Sequence, residues 1–386
     1  MIGISKLYCS TVEDSDKIRY HHGAKSHAER RPIVVWNCTR ACNLTCEHCY
    51  AKSDGGRGKY EMTTSEGKML IDQLVEFGSP VILFSGGEPL MRKDVPELAK
   101  YAVERGLHAV LSSNGTLIDD AVARKLKSVN LTYVGISIDG LEGTHDMFRN
   151  RKGAFKEALN GIRACRDAGL KVGLRCTINK ANISEIPGIF DLMVRENIPR
   201  ICFYHLVCSG RGEEIADAML SNDETRRAVN MIIDHTAQLH ADGHPLEVLT
   251  VDNIADGPYL YLRMLKEKHP AAENVFNLLK QTGGGSTGVG IGSVNWDGEV
   301  YPDQFWRQHP VGNVREKSFG DIWTDSGNEL MMKLKEKAKH VTGRCSECKF
   351  LELCGGNFRA RAEAMTGDMW ASDPACYLTD EEIKKS

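Results

Sequence analysis

The sequence has no apolar run approaching the ~20 residues that a membrane helix requires. Its opening, "MIGISKLYCS", also lacks a charged leader followed by an apolar stretch. A cytoplasmic protein with no membrane partner is the expectation. An excess of one charge sign is missing as well. The 49 Lys and Arg face 52 Asp and Glu, a net charge of −3, so no overall field favours nucleic acid or anionic lipid, and no nucleic-acid partner is expected. Internal repeats and low-complexity tails are absent. The chain does have 386 residues with 41% hydrophobic and 26% charged content, enough for packed cores in two or three units, or in one large barrel with additions.

Cysteine, by contrast, is abundant. Thirteen in a chain of this kind is high for a compartment that does not maintain disulfides, so clustered cysteines point to metal. Cys42, Cys46 and Cys49 form one group, in "CNLTCEHC"; Cys345, Cys348, Cys354 and Cys376 form another. Cys9, Cys38, Cys165, Cys176, Cys202 and Cys208 are scattered and read mostly as small buried apolar residues. The first group lacks a fourth ligand, whereas tetrahedral zinc and a 4Fe–4S cube both have four corners. His48 is the nearest candidate for zinc, but its neighbour Cys49 already takes a corner and a chelate by both is strained. A cube with one iron left for an external ligand fits the triplet better.

From about residue 32 short apolar strands alternate with amphipathic helices. The strand candidates are 33–37, 80–85, 108–113, 131–138, 170–178 and 200–207; helical stretches include 64–77, 94–106, 119–128, 154–169, 185–197 and 221–243. Such alternation makes an α/β fold of parallel strands with right-handed crossovers, either a doubly wound sheet or an incomplete barrel. Ligands then gather at the carboxyl ends of the strands. Beyond a less readable connector, Asp297–Gly298 centres a hairpin, and a helical stretch at 329–340 leads into the second cysteine group. The expected organisation is an amino-terminal arm (1–31), an α/β unit (32–245), a connector (246–290) and a small α+β unit (291–386).

The triplet spacing, the aromatic His48 before its last cysteine and its place after the first strand resemble the radical S-adenosylmethionine (SAM) enzymes. Further matches follow at successive strand ends: "SGGEP" (85–89), "SSNG" (112–115), "SIDG" (137–140) and the arginine of "HDMFRN". The resemblance implies a partial (β/α)6 barrel and a cluster whose fourth iron is held by the methionine part of S-adenosylmethionine. One electron would then split the sulfonium to give a 5′-deoxyadenosyl radical. The SAM-binding residues it implies are His48, Gly86, Gly87, Glu88, Ser113, Asn114, Ser137, Asp139 and Arg149, with Arg149 pairing the cofactor's carboxylate. No acid–base residue is singled out.

The second group is spaced by two, five and twenty-one residues, and by itself fits zinc or a complete cluster. It resembles the carboxy-terminal SPASM/twitch domain of many radical SAM enzymes, implying a second 4Fe–4S cube with four cysteine ligands. In the two-cluster version of that domain a cysteine follows "G-x-V-Y-P"; here Asp303 stands there. One auxiliary cluster is therefore expected, with Asp303 a turn residue and its neighbours in "YPDQFW" candidates to face the substrate.

The stretches "MIGISKLYC", "VYPDQFW" and "GDMWASDPACYL" resemble enzymes that trim side chains from modified tetrapyrroles. The implied reaction removes acetate groups from 12,18-didecarboxysirohaem to give Fe-coproporphyrin III in sirohaem-dependent haem synthesis, with ferredoxin or flavodoxin as electron donor. A related branch removes propionates in haem d1 synthesis. A flat anionic macrocycle needs aromatic faces and cations, and Lys25, Arg30, Arg31, His21, His22 and His27 of the arm are candidates. The alternative for the arm is a solvated, mobile extension. Two rivals predict different behaviour: a peptide-modifying radical SAM enzyme, and a colourless binding protein stapled by zinc at both cysteine groups.

Overall fold

Runs of branched and aromatic residues become strands, and capped amphipathic stretches become the helices between them. In the computed structural model, which describes residues 1–20 and 30–385, the strands are β1 (Ile2–Gly3), β2 (Ile33–Thr39), β3 (Val81–Gly86), β4 (His108–Ser113), β5 (Tyr133–Ser137), β6 (Val172–Ile178), β7 (Arg200–His205), β8 (Glu247–Val251), β9 (Ile291–Val294), β10 (Glu299–Tyr301) and β11 (Gly312–Asn313). They join in one sheet of order β1-β8-β7-β6-β5-β4-β3-β2-β9-β10-β11. From β2 to β8 each strand lies parallel to its chain neighbour, with helices in the crossovers, which is the incomplete barrel expected.

The helix Thr64–Phe77 illustrates the local logic. Thr63 and Glu66 form a reciprocal capping box at its start, and Gly78 ends it at φ 82°, a left-handed turn that glycine adopts without strain. Its Leu70, Ile71 and Leu74 face are buried against strands whose Val34, Trp36, Ile82 and Phe84 are also buried. The helix Asn222–Ala241 is capped in the same way by Ser221 and Glu224.

One expectation needs correction. The stretch 246–290 is no connector: it supplies β8 as a seventh parallel strand and the helices Asp256–Lys266 and Ala272–Thr282. The start of the arm packs on the barrel, while the solvated extension concerns 19–31, of which 21–29 lie outside the described residues. β1 pairs antiparallel with β8, Ile2, Ile4 and Leu7 are buried in the core, and the buried Tyr20 hydroxyl accepts a bond from Gly3 N–H. His21, His22, Lys25 and His27 lie outside the described residues.

The carboxy-terminal unit is sewn to the barrel. β9 continues the sheet beside β2, in parallel register Ile33↔Ile291 to Trp36↔Val294, and the β9–β10 hairpin turns at Asp297–Gly298 as expected. No helix of the described residues is long and apolar enough to cross a membrane.

Candidate active site

β2 delivers the chain into the first cysteine loop, and backbone bonds hold that loop on both sides. Cys42 N–H donates to Asp54 O at 2.7 Å, Gly87 N–H to Thr39 O at 2.8 Å and Glu88 N–H to Ala41 O at 2.9 Å. This last pair explains the double glycine of "SGGEP". A Cβ on Gly86, which sits at φ 121°, would lie 2.4 Å from Thr39 O, and one on Gly87 would lie 2.1 Å from Ala41 O. Both glycines also line the cavity, so the missing side chains serve loop approach and ligand access together. The other flank is held by Arg211, whose Nε donates to Cys46 O and whose Nη1 donates to Ser53 O, while its N–H donates to Cys49 O.

Cys42, Cys46 and Cys49 line one cavity, open at its mouth, with an empty volume of about 1000 Å³. Of the expected SAM-binding residues, His48, Gly86, Gly87, Ser113, Asn114, Ser137, Asp139 and Arg149 line it too. Asp139 forms an ion pair with Arg149 and accepts Thr177 N–H at 2.7 Å. Burial is the largest influence and raises the Asp139 carboxyl, but Arg149, His48, His145 and the Thr177 N–H together hold it below the usual carboxylate range. Arg149 also donates to Cys46 Sγ at 3.4 Å, and its Nε is buried with no partner among the described residues. His48 stacks on Phe148, ring centres 4.5 Å apart; burial lowers its pKa to about 4, so it is a neutral ring.

Glu88 is the exception. It is fully buried and absent from the cavity wall. Its carboxylate brackets the strand ends, accepting from Ser113 Oγ at 2.9 Å, Asn114 N–H at 2.8 Å and Leu90 N–H at 3.1 Å. Burial nonetheless pushes its pKa up to about 7. Asn114 in turn bonds Asn43 at 2.9 Å, tying the β4 end to the cysteine loop.

More of the cavity wall comes from Tyr50, Arg175, Tyr204, His205 and Asp252, which the sequence did not single out, and from Gln304 and Phe305 of the carboxy-terminal unit. The last two belong to "YPDQFW", where substrate-facing residues were expected. Tyr50 and Phe305 meet edge to face at 5.1 Å. Of the cations expected from the arm, the two that lie among the described residues are elsewhere. Arg30 donates to Thr282 O at a helix end, Arg31 lies over Phe77, and neither lines the cavity. Cys9 is likewise outside it, half-buried at the end of helix Ile4–Cys9.

The second cysteine group stands apart from this cavity. Burial raises Cys354 and Cys376, and the nearby Cys345, Cys348 and Cys376 add charge repulsion to Cys354, so the four share one neighbourhood. Asn357 N–H points at Cys354 Sγ (3.1 Å) and Phe350 N–H at Cys348 Sγ (3.3 Å). A Cβ on Gly284 would lie 2.4 Å from Cys354 O, which accounts for glycine there. Asp303 is a turn residue: its carboxylate accepts Thr287 Oγ and Phe305 N–H. Cys38, Cys165, Cys176, Cys202 and Cys208 are buried free thiols.

Both groups suit the donor chemistry of iron–sulfur cubes.

Comparison with known proteins agrees with this geometry. The radical SAM superfamily model matches residues 36–193, and that of the SPASM iron–sulfur cluster-binding domain matches 290–349. The chain is 57% identical to Fe-coproporphyrin III synthase of Methanosarcina barkeri, covering 99% of each. It is 38% identical to pre-heme d1 synthase of Dinoroseobacter shibae, covering 91% of this chain and 87% of the relative. The fold matches the solved structure of native anSMEcpe with bound AdoMet at TM-score 0.70 and 18% identity, covering 90% and 94% of the two chains.

Proposed function

The chain belongs to the radical SAM superfamily, and from that premise we propose that it removes acetate side chains from 12,18-didecarboxysirohaem to give Fe-coproporphyrin III. The observation that carries this reading is the relationship to Fe-coproporphyrin III synthase, which extends through the barrel and the SPASM unit alike. A cavity walled from both units supports it, since a macrocycle needs more surface than a cofactor alone.

Cys42, Cys46 and Cys49 would hold a 4Fe–4S cluster, and Cys345, Cys348, Cys354 and Cys376 a second. The chemistry supplied by cluster and S-adenosylmethionine when bound is one-electron cleavage to a 5′-deoxyadenosyl radical that takes a hydrogen atom. The chain's own residues bind and orient. Gly86 and Gly87 offer backbone groups at the loop, Ser113, Asn114 and Ser137 offer polar atoms along the strand ends, and the unpaired Arg149 Nε offers a donor for a carboxylate. Glu88 keeps Ser113 and Asn114 in place. Tyr50, Tyr204 and Phe305 present aromatic surface to the macrocycle. Ferredoxin or flavodoxin is the proposed electron donor.

The test is an anaerobic incubation of reconstituted, reduced protein with S-adenosylmethionine and didecarboxysirohaem, followed by mass spectrometry. Loss of two acetate units is the expected result. Loss of propionate units would instead favour the second reading, which the pre-heme d1 synthase relative supports. Cofactor cleavage with an unaltered tetrapyrrole would favour a peptide substrate. A colourless protein carrying zinc would overturn all three.

A further inference from the structure

One cation in the barrel lumen has no anionic partner among the described residues. Arg175 sits in the middle of β6, opposite Ser137 of β5 and Cys202 of β7, and it lines the active-site cavity. Thr177, two residues on and therefore on the same face of the strand, supplies the N–H held by Asp139. Arg175 thus stands one layer deeper than the Asp139–Arg149 pair. Its guanidinium lies over the Tyr204 ring, 5.0 Å from the centroid. Among the described residues this guanidinium makes no ion pair and no hydrogen bond.

The lumen has been cleared to admit it. A Cβ on Gly135 of β5 would lie 2.8 Å from Arg175 Cδ and 3.3 Å from Nη1, so glycine opens the space in which the side chain crosses the lumen. The neighbouring lumen arginine shows the alternative arrangement. Arg200 lies over Tyr133 in the same manner but pairs with the buried Glu247, which also holds Arg19. A guanidinium set inside a fold is ordinarily paired with a carboxylate or its equivalent; among the described residues Arg200 has one, and Arg175, half-buried on the cavity wall, has none. The nearby cavity-lining acid, Asp252, stays beyond ion-pair distance, with its Oδ2 buried and unpartnered. Burial raises the Asp252 carboxyl, which lessens its competition for the cation.

We infer that Arg175 is the specificity-determining anchor for a carboxylate side chain of the substrate, gripping it through the guanidinium fork while Tyr204 and Phe305 flank the macrocycle. This rests on the tetrapyrrole reading above and assigns the anion's seat within it.

The test is an anaerobic absorbance titration of reconstituted protein with didecarboxysirohaem, without reductant or S-adenosylmethionine, repeated with the peripherally methyl-esterified tetrapyrrole. Wild type should bind the free acid ~10- to 100-fold more tightly than the ester, the usual range for one charge-assisted pair. Arg175→Gln should lose that preference, Arg175→Lys should keep part of it, and S-adenosylmethionine binding should be unchanged in both. Equal binding of acid and ester by wild type overturns the inference even if Arg175→Gln does not fold. So does an Arg175→Gln variant that keeps the preference, or one that loses S-adenosylmethionine binding instead. A wild type that converts the tetrapyrrole while ignoring its esterification sinks the anchor and leaves the reaction standing. One that neither binds nor converts it sinks both.

Discussion

The two cysteine groups are built in opposite ways. Cys42, Cys46 and Cys49 come from a single loop held by backbone bonds at its ends, and their open side faces a cavity that also holds Asp139 and Arg149. Cys345, Cys348, Cys354 and Cys376 come from separate turns, none of them on the cavity wall. They are braced from behind by Arg361 and Asp373, a bidentate pair at 2.8 and 3.0 Å with both side chains fully buried. Arg344 adds a bond to Leu378 O at 2.6 Å. One group faces a cavity with room for a partner molecule, and the other stands away from that cavity. On the proposed reading the first group would carry the chemistry and the second would hold the unit closed or pass electrons.

The sharpest way to break that contrast is at Cys46. Cys46→Ala should abolish deoxyadenosine formation, read by chromatography, and lower bound iron from about eight to about four per chain if each group holds a 4Fe–4S cube. Retained deoxyadenosine would erase the distinction. Cys376→Ala should lower iron similarly, yet leave cofactor cleavage without tetrapyrrole measurable while product formation falls. Next comes the brace: Asp373→Asn leaves Arg361 buried against a weakened partner, and the expected loss is up to ~3–5 kcal/mol of stability, read as a lower Tm with the first cluster's spectrum intact. Glu88→Gln should cost less, ~1–3 kcal/mol, and should disturb the open site by loosening Ser113 and Asn114; a lower affinity for S-adenosylmethionine is the readout.

The smallest effect concerns the seam between the units. Glu66 pairs with Arg315, which follows β11, at 2.6 Å. The Arg315 hydrogen bond, with further bonds from Thr63, lowers its pKa from 4.5 to about 2. A depressed carboxyl contributes stability that is present above the unfolded value and is lost as pH falls through the folded one. Between pH 4.5 and about 2 the wild type should therefore lose stability more steeply than Glu66→Gln, a variant that retains capping ability. Parallel acid limbs in the two Tm profiles would remove the seam's contribution.

Much of this was legible in the sequence because the strands are buried on both faces and announce themselves as apolar runs. "HAVLSS" coincides with β4 to the residue, and the helix at 64–77 is matched to both caps. β8 escaped notice because "EVLTV" is short and opens on Glu247, whose carboxylate is buried against Arg19 and Arg200; a buried charge reads as a loop. The two cysteine groups are legible from spacing, and the family resemblance of the strand-end motifs points to most of the residues that line the cavity. Glu88 was not placed correctly by position alone, since a carboxylate beside a glycine pair looks like a ligand contact until its three backbone and hydroxyl partners are seen. Arg30 and Arg31 drew attention as a cluster, while Arg175 was passed over. The missed signal was a charged residue inside the apolar run "LKVGLRCTI", on the same side as Gly173 and Thr177.

The parallel ladder between β2 and β9 has one more consequence. A barrel cut off ahead of Ile291 would carry a naked, unprotected edge along Ile33, Val34, Val35 and Trp36, the kind of surface that recruits foreign strands. The same cut would take Asn295 from Asn37, which also holds the Tyr50 hydroxyl beside the catalytic loop. Radical chemistry and the domain that follows it are thus inseparable by simple truncation: removing the tail would undo the first strand of the engine.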